Sequence, residues 1–116
     1  MLPQQFSFEI FQEKKNKEIL VKLIKQLNKD FNQSGIEYHF EIDLAPIDLA
    51  NKLQKQLEYL LNNDFQTYVN LLYRIDIYES EIKKIEDVEI EKISKKVAIL
   101  ILKREWQKVW FKSRIQ

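Results

Sequence analysis

Val97-Ala98-Ile99-Leu100-Ile101-Leu102, followed at once by Lys103-Arg104-Glu105-Trp106-Gln107-Lys108-Val109-Trp110-Phe111, decides how the rest of the chain is read. It is the one stretch that is apolar in every direction around the backbone. Neighbours are therefore expected to cover it on all sides, which marks it as the centre of a core. A short apolar run does not by itself separate a buried strand from a buried piece of helix. The β-branched Val97, Ile99 and Ile101 favour strand. The flanks favour helix: from Asp87 to Arg114 there is no Gly, no Pro and no turn cluster. The polar residues there are mostly Glu, Lys, Gln and Arg, which lose little rotamer freedom in a helix. Glu86, Asp87, Glu89 and Glu91 crowd the start and Lys108, Lys112 and Arg114 the end, complementing a helix macrodipole. The pattern predicts one helix over 88–113.

At about 100° per residue, Ile90, Ile93, Val97, Leu100 and Ile101 share one face of that helix. Ala98, Leu102, Trp106 and Val109 share another, roughly opposite, with Trp110 beside them. Arg104 and Lys108 continue the first stripe. The spacing predicts a rod that meets different partners along its length, or bends midway.

Composition sets the bounds. The chain has 116 residues, 45% of them hydrophobic, which suits one domain with a real core. Gly occurs once and Pro twice, a supply of chain-breakers too small for a sandwich or barrel of many tight turns. Without cysteine there is no disulfide, thiolate metal site or Cys nucleophile. No run approaches the length needed to cross a bilayer, and the start lacks the pattern of a signal peptide, so a soluble cytoplasmic protein is expected. The formal charge of +1 gives no overall basic field for nucleic acid. The charge is uneven, however. Residues 76–91 carry seven acidic and two basic groups, and residues 92–116 eight basic and one acidic. The helix dipole accounts for this pattern, and a binding patch is the other reading.

In chain order, Phe6-Ser7-Phe8-Glu9-Ile10 reads as a weak extended segment, and residues 1–11 as an arm. Leu20, Ile24, Leu27 and Phe31 step by helical intervals and predict a helix over 13–33, closed by Gly35 as a left-handed residue. Ile36 to Leu44 alternates strictly between apolar and polar, predicting an extended segment at 36–43 with one wet face. Its backbone needs a partner, either residues 6–10 or a second copy of the chain. Pro46 opens a second helix over 46–61. Asn63 and Gln66 have capping-box spacing and predict a new helix over 64–77, although the apolar steps would also allow one long helix. Ser80 is expected to cap a short turn through Ile85, and Asp87 to lead into the last helix.

Three constellations bear on chemistry. Glu37, His39 and Glu41 would share one face of a strand, where they read as a solvated face or as metal ligands; no metal is expected with a single histidine. Arg74, Asp76 and Tyr78 gather near a helix end as an anion site or a structural tie. Trp106 and Trp110 with Lys103, Lys108 and Lys112 interleave rings and cations. They serve as core rings with snorkelling cations, as a protein interface, or as a nucleic-acid surface. One glycine makes no phosphate loop, and no serine sits in a nucleophile elbow.

Leu71-Leu72-Tyr73-Arg74-Ile75-Asp76 and the stretch from Leu100 to Phe111 resemble motifs of a family of small bacterial proteins of about this length, one with no assigned activity. The resemblance implies a compact intracellular single-domain protein and carries over no catalytic or binding residue. The expectation is a mostly α, single-domain bundle of four main helices with the last one central. It would be a non-catalytic interaction or structural protein without cofactor, metal or membrane contact. Self-association would run through the aromatic end of the last helix or the alternating segment. The alternative is a nucleic-acid-associated protein using the basic-aromatic C-terminus.

Overall fold

The computed structural model describes residues 17–115, and these form a mostly α bundle of four main helices and one short one. The expected arm at 1–11 and the expected first turn at 13–16 lie outside the described residues. Helix α1, Lys17–Gln33, buries Leu20, Leu23, Ile24, Leu27 and Phe31. It ends in a left-handed Gly35 with φ 80°. The Ile36 N–H donates to Phe31 O at 3.0 Å and the Gly35 N–H to Asn32 O at 3.1 Å, so the last carbonyls are satisfied by a Schellman turn.

The chain then runs through residues 36–45 with no strand. Alternation is visible in burial only as far as Phe40: Ile36, Tyr38 and Phe40 turn inward, Glu37, His39 and Glu41 outward, and Ile42 is already exposed. Of the two partners expected for its backbone, residues 6–10 lie outside the described residues, and among the described residues a side chain takes that role. It belongs to Asn28 on α1: Nδ2 donates to Phe40 O at 2.9 Å, and the Phe40 N–H donates to Oδ1 at 2.7 Å. One carboxamide thus pairs both polar groups of the one peptide position that the core buries completely. Phe40 lies edge-on to Phe31 at 5.0 Å and to Tyr38 at 4.8 Å.

Helix α2, Pro46–Asn63, and helix α3, Phe65–Ile75, are two helices, joined through a single residue. Asp64 closes the first by donating its N–H to Leu60 O. It opens the second by accepting from the Thr67 N–H at 3.2 Å and the Thr67 hydroxyl at 2.6 Å. The cap is therefore Asp64 and not the expected Asn63, whose amide turns back to Tyr59 O. Helix α3 stops at Asp76, which takes the left-handed conformation with φ 72°. Helix α4, Glu79–Lys83, has Tyr78 at its N-cap position with no side-chain cap, and the expected cap Ser80 lies inside it.

Helix α5, Ile90–Ile115, packs chiefly on α2 and α1 and more lightly on α3. Its buried residues are Ser94, Val97, Ala98, Ile101, Leu102, Glu105, Trp106 and Val109. These positions fall within an arc of roughly 180°. The two stripes expected on opposite sides are therefore the margins of one broad face, with Ser94 and Glu105 in its middle. Nor is the apolar run covered all round, because Ile99 is 40% exposed and Leu100 half-buried. No helix of the described residues is long and apolar enough to cross a membrane.

The Asn28 clamp sets a first prediction. Asn28→Leu leaves the Phe40 N–H and carbonyl without their partners and is expected to destabilise the protein by about 1–3 kcal/mol in urea unfolding. An unchanged midpoint would show that the carboxamide does not hold the segment.

Candidate functional site

The seam between α1 and α5 carries the densest chemistry. Lys108 Nζ lies 3.3 Å from Glu105 Oε1, one turn back on its own helix, and 3.5 Å from Asp30 Oδ2 across the seam. Gln26 Nε2 donates to both Asp30 oxygens at 3.3 Å, and Lys112 Nζ donates to Gln26 Oε1 at 3.4 Å. A connected polar line thus runs from the surface at Lys112 through Gln26, Asp30 and Lys108 to Glu105. Asp30 is 3% exposed and Glu105 0%.

Two carboxyl groups face one ammonium in a dry place. The Lys108 contact to Glu105 lacks hydrogen-bond geometry, and both Glu105 oxygens are buried without a hydrogen-bond partner. Burial, and then the neighbouring Asp30 carboxylate, push the Glu105 carboxyl up to about 9, against the smaller opposing pull of Lys108. At neutral pH Glu105 therefore carries its proton, with the Asp30 carboxylate beside it. The seam holds one carboxylic acid, one carboxylate and one ammonium, which leaves no net charge inside.

A displaced carboxyl of this kind is a common sign of acid–base chemistry. Here it has no access to a substrate, because Glu105 has no solvent-exposed surface. What the arrangement does is fix register: sliding α1 along α5 would separate Asp30 from Lys108 and strand a buried charge. Among the described residues there is no group of three or more His, Cys, Asp or Glu able to hold a metal ion. Glu37, His39 and Glu41 are exposed.

The residues singled out from the sequence are dispersed by the fold. Trp106 is buried in the core and stacks on Trp110 with ring centroids 6.1 Å apart. Trp110 is half-buried, with the Arg114 guanidinium 4.6 Å above its ring and Phe111 edge-on at 5.8 Å. Lys108 is drawn into the seam, Lys112 stands at its mouth, and Lys103 lines a separate surface hollow with Asp76, Tyr78 and Arg104. Arg74 does not pair with Asp76; its Nη1 donates to Gln33 Oε1 at 2.8 Å, tying the end of α3 to the end of α1. Asp76 accepts instead from Arg104 Nη2 on α5 at 3.2 Å. Tyr78 is exposed.

Asp30 and Glu105 lie outside the constellations that the sequence pattern marks. Glu105 did leave a signal, because it is the single acidic residue between 92 and 116 and sits among apolar neighbours. Asp30 left none, since Lys29-Asp30 reads as an ordinary charged pair on a helix surface. No protein family, curated protein or solved structure matches the chain.

The raised Glu105 carboxyl has a measurable consequence. Between its ordinary value of 4.5 and about 9 the folded chain holds a proton that the unfolded chain has released. Stability contributed by this group is therefore complete below that window, falls as pH rises through it, and levels off above. Glu105→Gln, which keeps the shape and stays neutral, is expected to remove the decline. The difference in urea-unfolding free energy between variant and wild type should grow by about 1.4 kcal/mol per pH unit. A difference that stays flat from about pH 5 to about pH 9 would contradict the protonated state.

Proposed function

We propose that this chain is a small non-catalytic interaction module that associates with a second copy of itself through the exposed side of α3. The observation that carries the reading is a stripe of Phe65, Val69 and Tyr73 at intervals of four, with Phe65 60% and Tyr73 88% exposed. The chain is 32% charged, yet α3 contains a single charged residue, Arg74, and that one is engaged by Gln33. Aromatic enrichment with charge depletion is the composition of an interface centre and not of a solvated helix face.

A second copy is the occupant because the stripe is its own complement. Running antiparallel about Val69, Phe65 of one protomer meets the partner's Tyr73, and the reverse holds by symmetry, as a two-fold interface requires. With a formal charge of only +1 per chain, two copies scarcely repel. The three side chains expose roughly 350 Å² together, with aromatic rings supplying most of it. That is well under the ~800 Å² per partner of a stable complex, so the association is weak and reversible.

Sedimentation velocity from about 10 μM to about 1 mM tests the reading, with half-dimerisation expected on the order of 100 μM. Tyr73→Lys places a charge at the rim of the stripe without touching the core and is expected to leave a monomer throughout. A wild-type chain that stays monomeric to 1 mM, or a Tyr73→Lys variant that dimerises like wild type, would refute it.

A further inference from the structure

A groove of about 300 Å³ runs between α1 and the last turns of α5, lined by Lys22, Lys25, Gln26, Lys29, Val109 and Lys112 among others, with no carboxylate in its walls. We propose that this groove binds the phosphate backbone of nucleic acid, independently of sequence. The proposal stands on different residues from the α3 stripe and does not depend on it.

The arrangement of charge is unlike the rest of the molecule. Lys83, Lys84, Lys92 and Lys95 each have a glutamate partner three or four residues earlier, and Lys96 is paired with Asp87. Lys22, Lys25 and Lys29 fall within roughly 60° of one another on α1 and extend over roughly 10 Å of its axis. The side-chain neighbours of Lys25 at three and four residues are Val21, Lys22, Asn28 and Lys29; those of Lys29 are Lys25, Gln26, Asn32 and Gln33. Lys112 likewise follows Lys108 by four. Like charges at this spacing destabilise a helix, and none of the four groove lysines has a carboxylate partner among the described residues. Lys22 has Glu18 four residues before it, but the acid nearest to Lys25 and Lys29 in sequence, Asp30, is turned into the seam and spent on Lys108. An anion in the groove supplies the missing countercharge.

The same geometry selects an extended phosphate chain. The groove is open, Val109 is its one apolar side chain, and no aromatic ring in its walls offers a base a stacking partner. Trp106 is enclosed, and the face of Trp110 is taken by Arg114. Recognition then rests on phosphates alone, which carry affinity but no sequence information. The acidic cluster around α4 and the start of α5 does not cancel the field: Glu91 and Lys112 are roughly 30 Å apart along the helix, several Debye lengths at physiological salt.

Fluorescence anisotropy of the full chain with two labelled DNA duplexes of unrelated sequence tests the proposal. The two are expected to bind alike and to weaken roughly a hundredfold between about 50 and about 200 mM salt, the response of three or four released counterions. Lys25→Gln plus Lys29→Gln changes exposed side chains only. With folding checked by thermal unfolding, it is expected to weaken binding at least tenfold at low salt, while Lys83→Gln plus Lys84→Gln leaves binding unchanged. Vesicles containing phosphatidylserine form a parallel arm, expected not to bind appreciably. The proposal is overturned by absence of salt-sensitive DNA binding, by a groove variant that binds like wild type, or by binding to the vesicles in place of DNA.

Discussion

The removal from water of one broad face of α5 is the constraint on which the rest of the fold depends. Val97, Ile101, Leu102, Trp106 and Val109 are all buried there, each worth roughly 1.5–3 kcal/mol relative to exposure. Together they match the whole net stability of a typical domain, about 5–15 kcal/mol. No single neighbour can cover an arc of half the helix circumference. Helices α1 and α2 take its principal area, and α3 reaches it more lightly. The connections follow from that demand. Asp64 turns the chain from α2 into α3 in one residue, and Asn28 pins residues 36–45 so that Phe40 can fill the space beside Phe31.

In the middle of that face stands Glu105. Its burial would be prohibitive as an isolated anion, and the seam resolves this by keeping the proton on Glu105 and pairing Asp30 with Lys108. A well-packed apolar residue would stabilise the seam as well or better, so the contribution of the polar line is uniqueness of alignment between α1 and α5. Turning Asp30 inward has a second effect. It takes the carboxylate next to Lys29 away from the surface, and since residues 22–29 hold no acid, Lys25 and Lys29 are left there without one. The same residue thus joins the packing of the bundle to the character of its exposed groove.

Much of this architecture is legible in the residues, and the exceptions have physical reasons. The helical class, the four main helices and the left-handed Gly35 follow from periodicity and from the scarcity of chain-breakers. The break between α2 and α3 is legible, but capping-box spacing points to Asn63, one residue early, because Asn63 and Asp64 are both good caps and only the observed geometry selects between them. Strict alternation at 36–44 suggested an extended segment in need of a strand or a second chain, whereas a single side chain twelve positions away can satisfy a peptide just as well. The face of α5 reads as two stripes because Ser94 and Glu105, which lie between them, are polar and do not register as part of an apolar face. A buried polar residue is invisible to hydropathy, and Asp30 doubly so, since its pairing with Lys108 across 78 positions of sequence leaves no local trace. The ring-and-cation motif near the C-terminus was legible as composition, yet burial of Trp106 and capture of Lys108 divide it between core and seam.

Native-state hydrogen exchange at residue resolution tests the central role of α5 most directly. If its broad face is the core on which the other helices rest, the amides from Val97 to Trp106 exchange only through global unfolding and are the slowest in the chain. They should share that limit with Leu23–Leu27 of α1 and Leu53–Leu57 of α2, while α4 exchanges fast. Amides of 97–106 that open at a free energy well below the global value, with α1 and α2 still protected, would contradict the account.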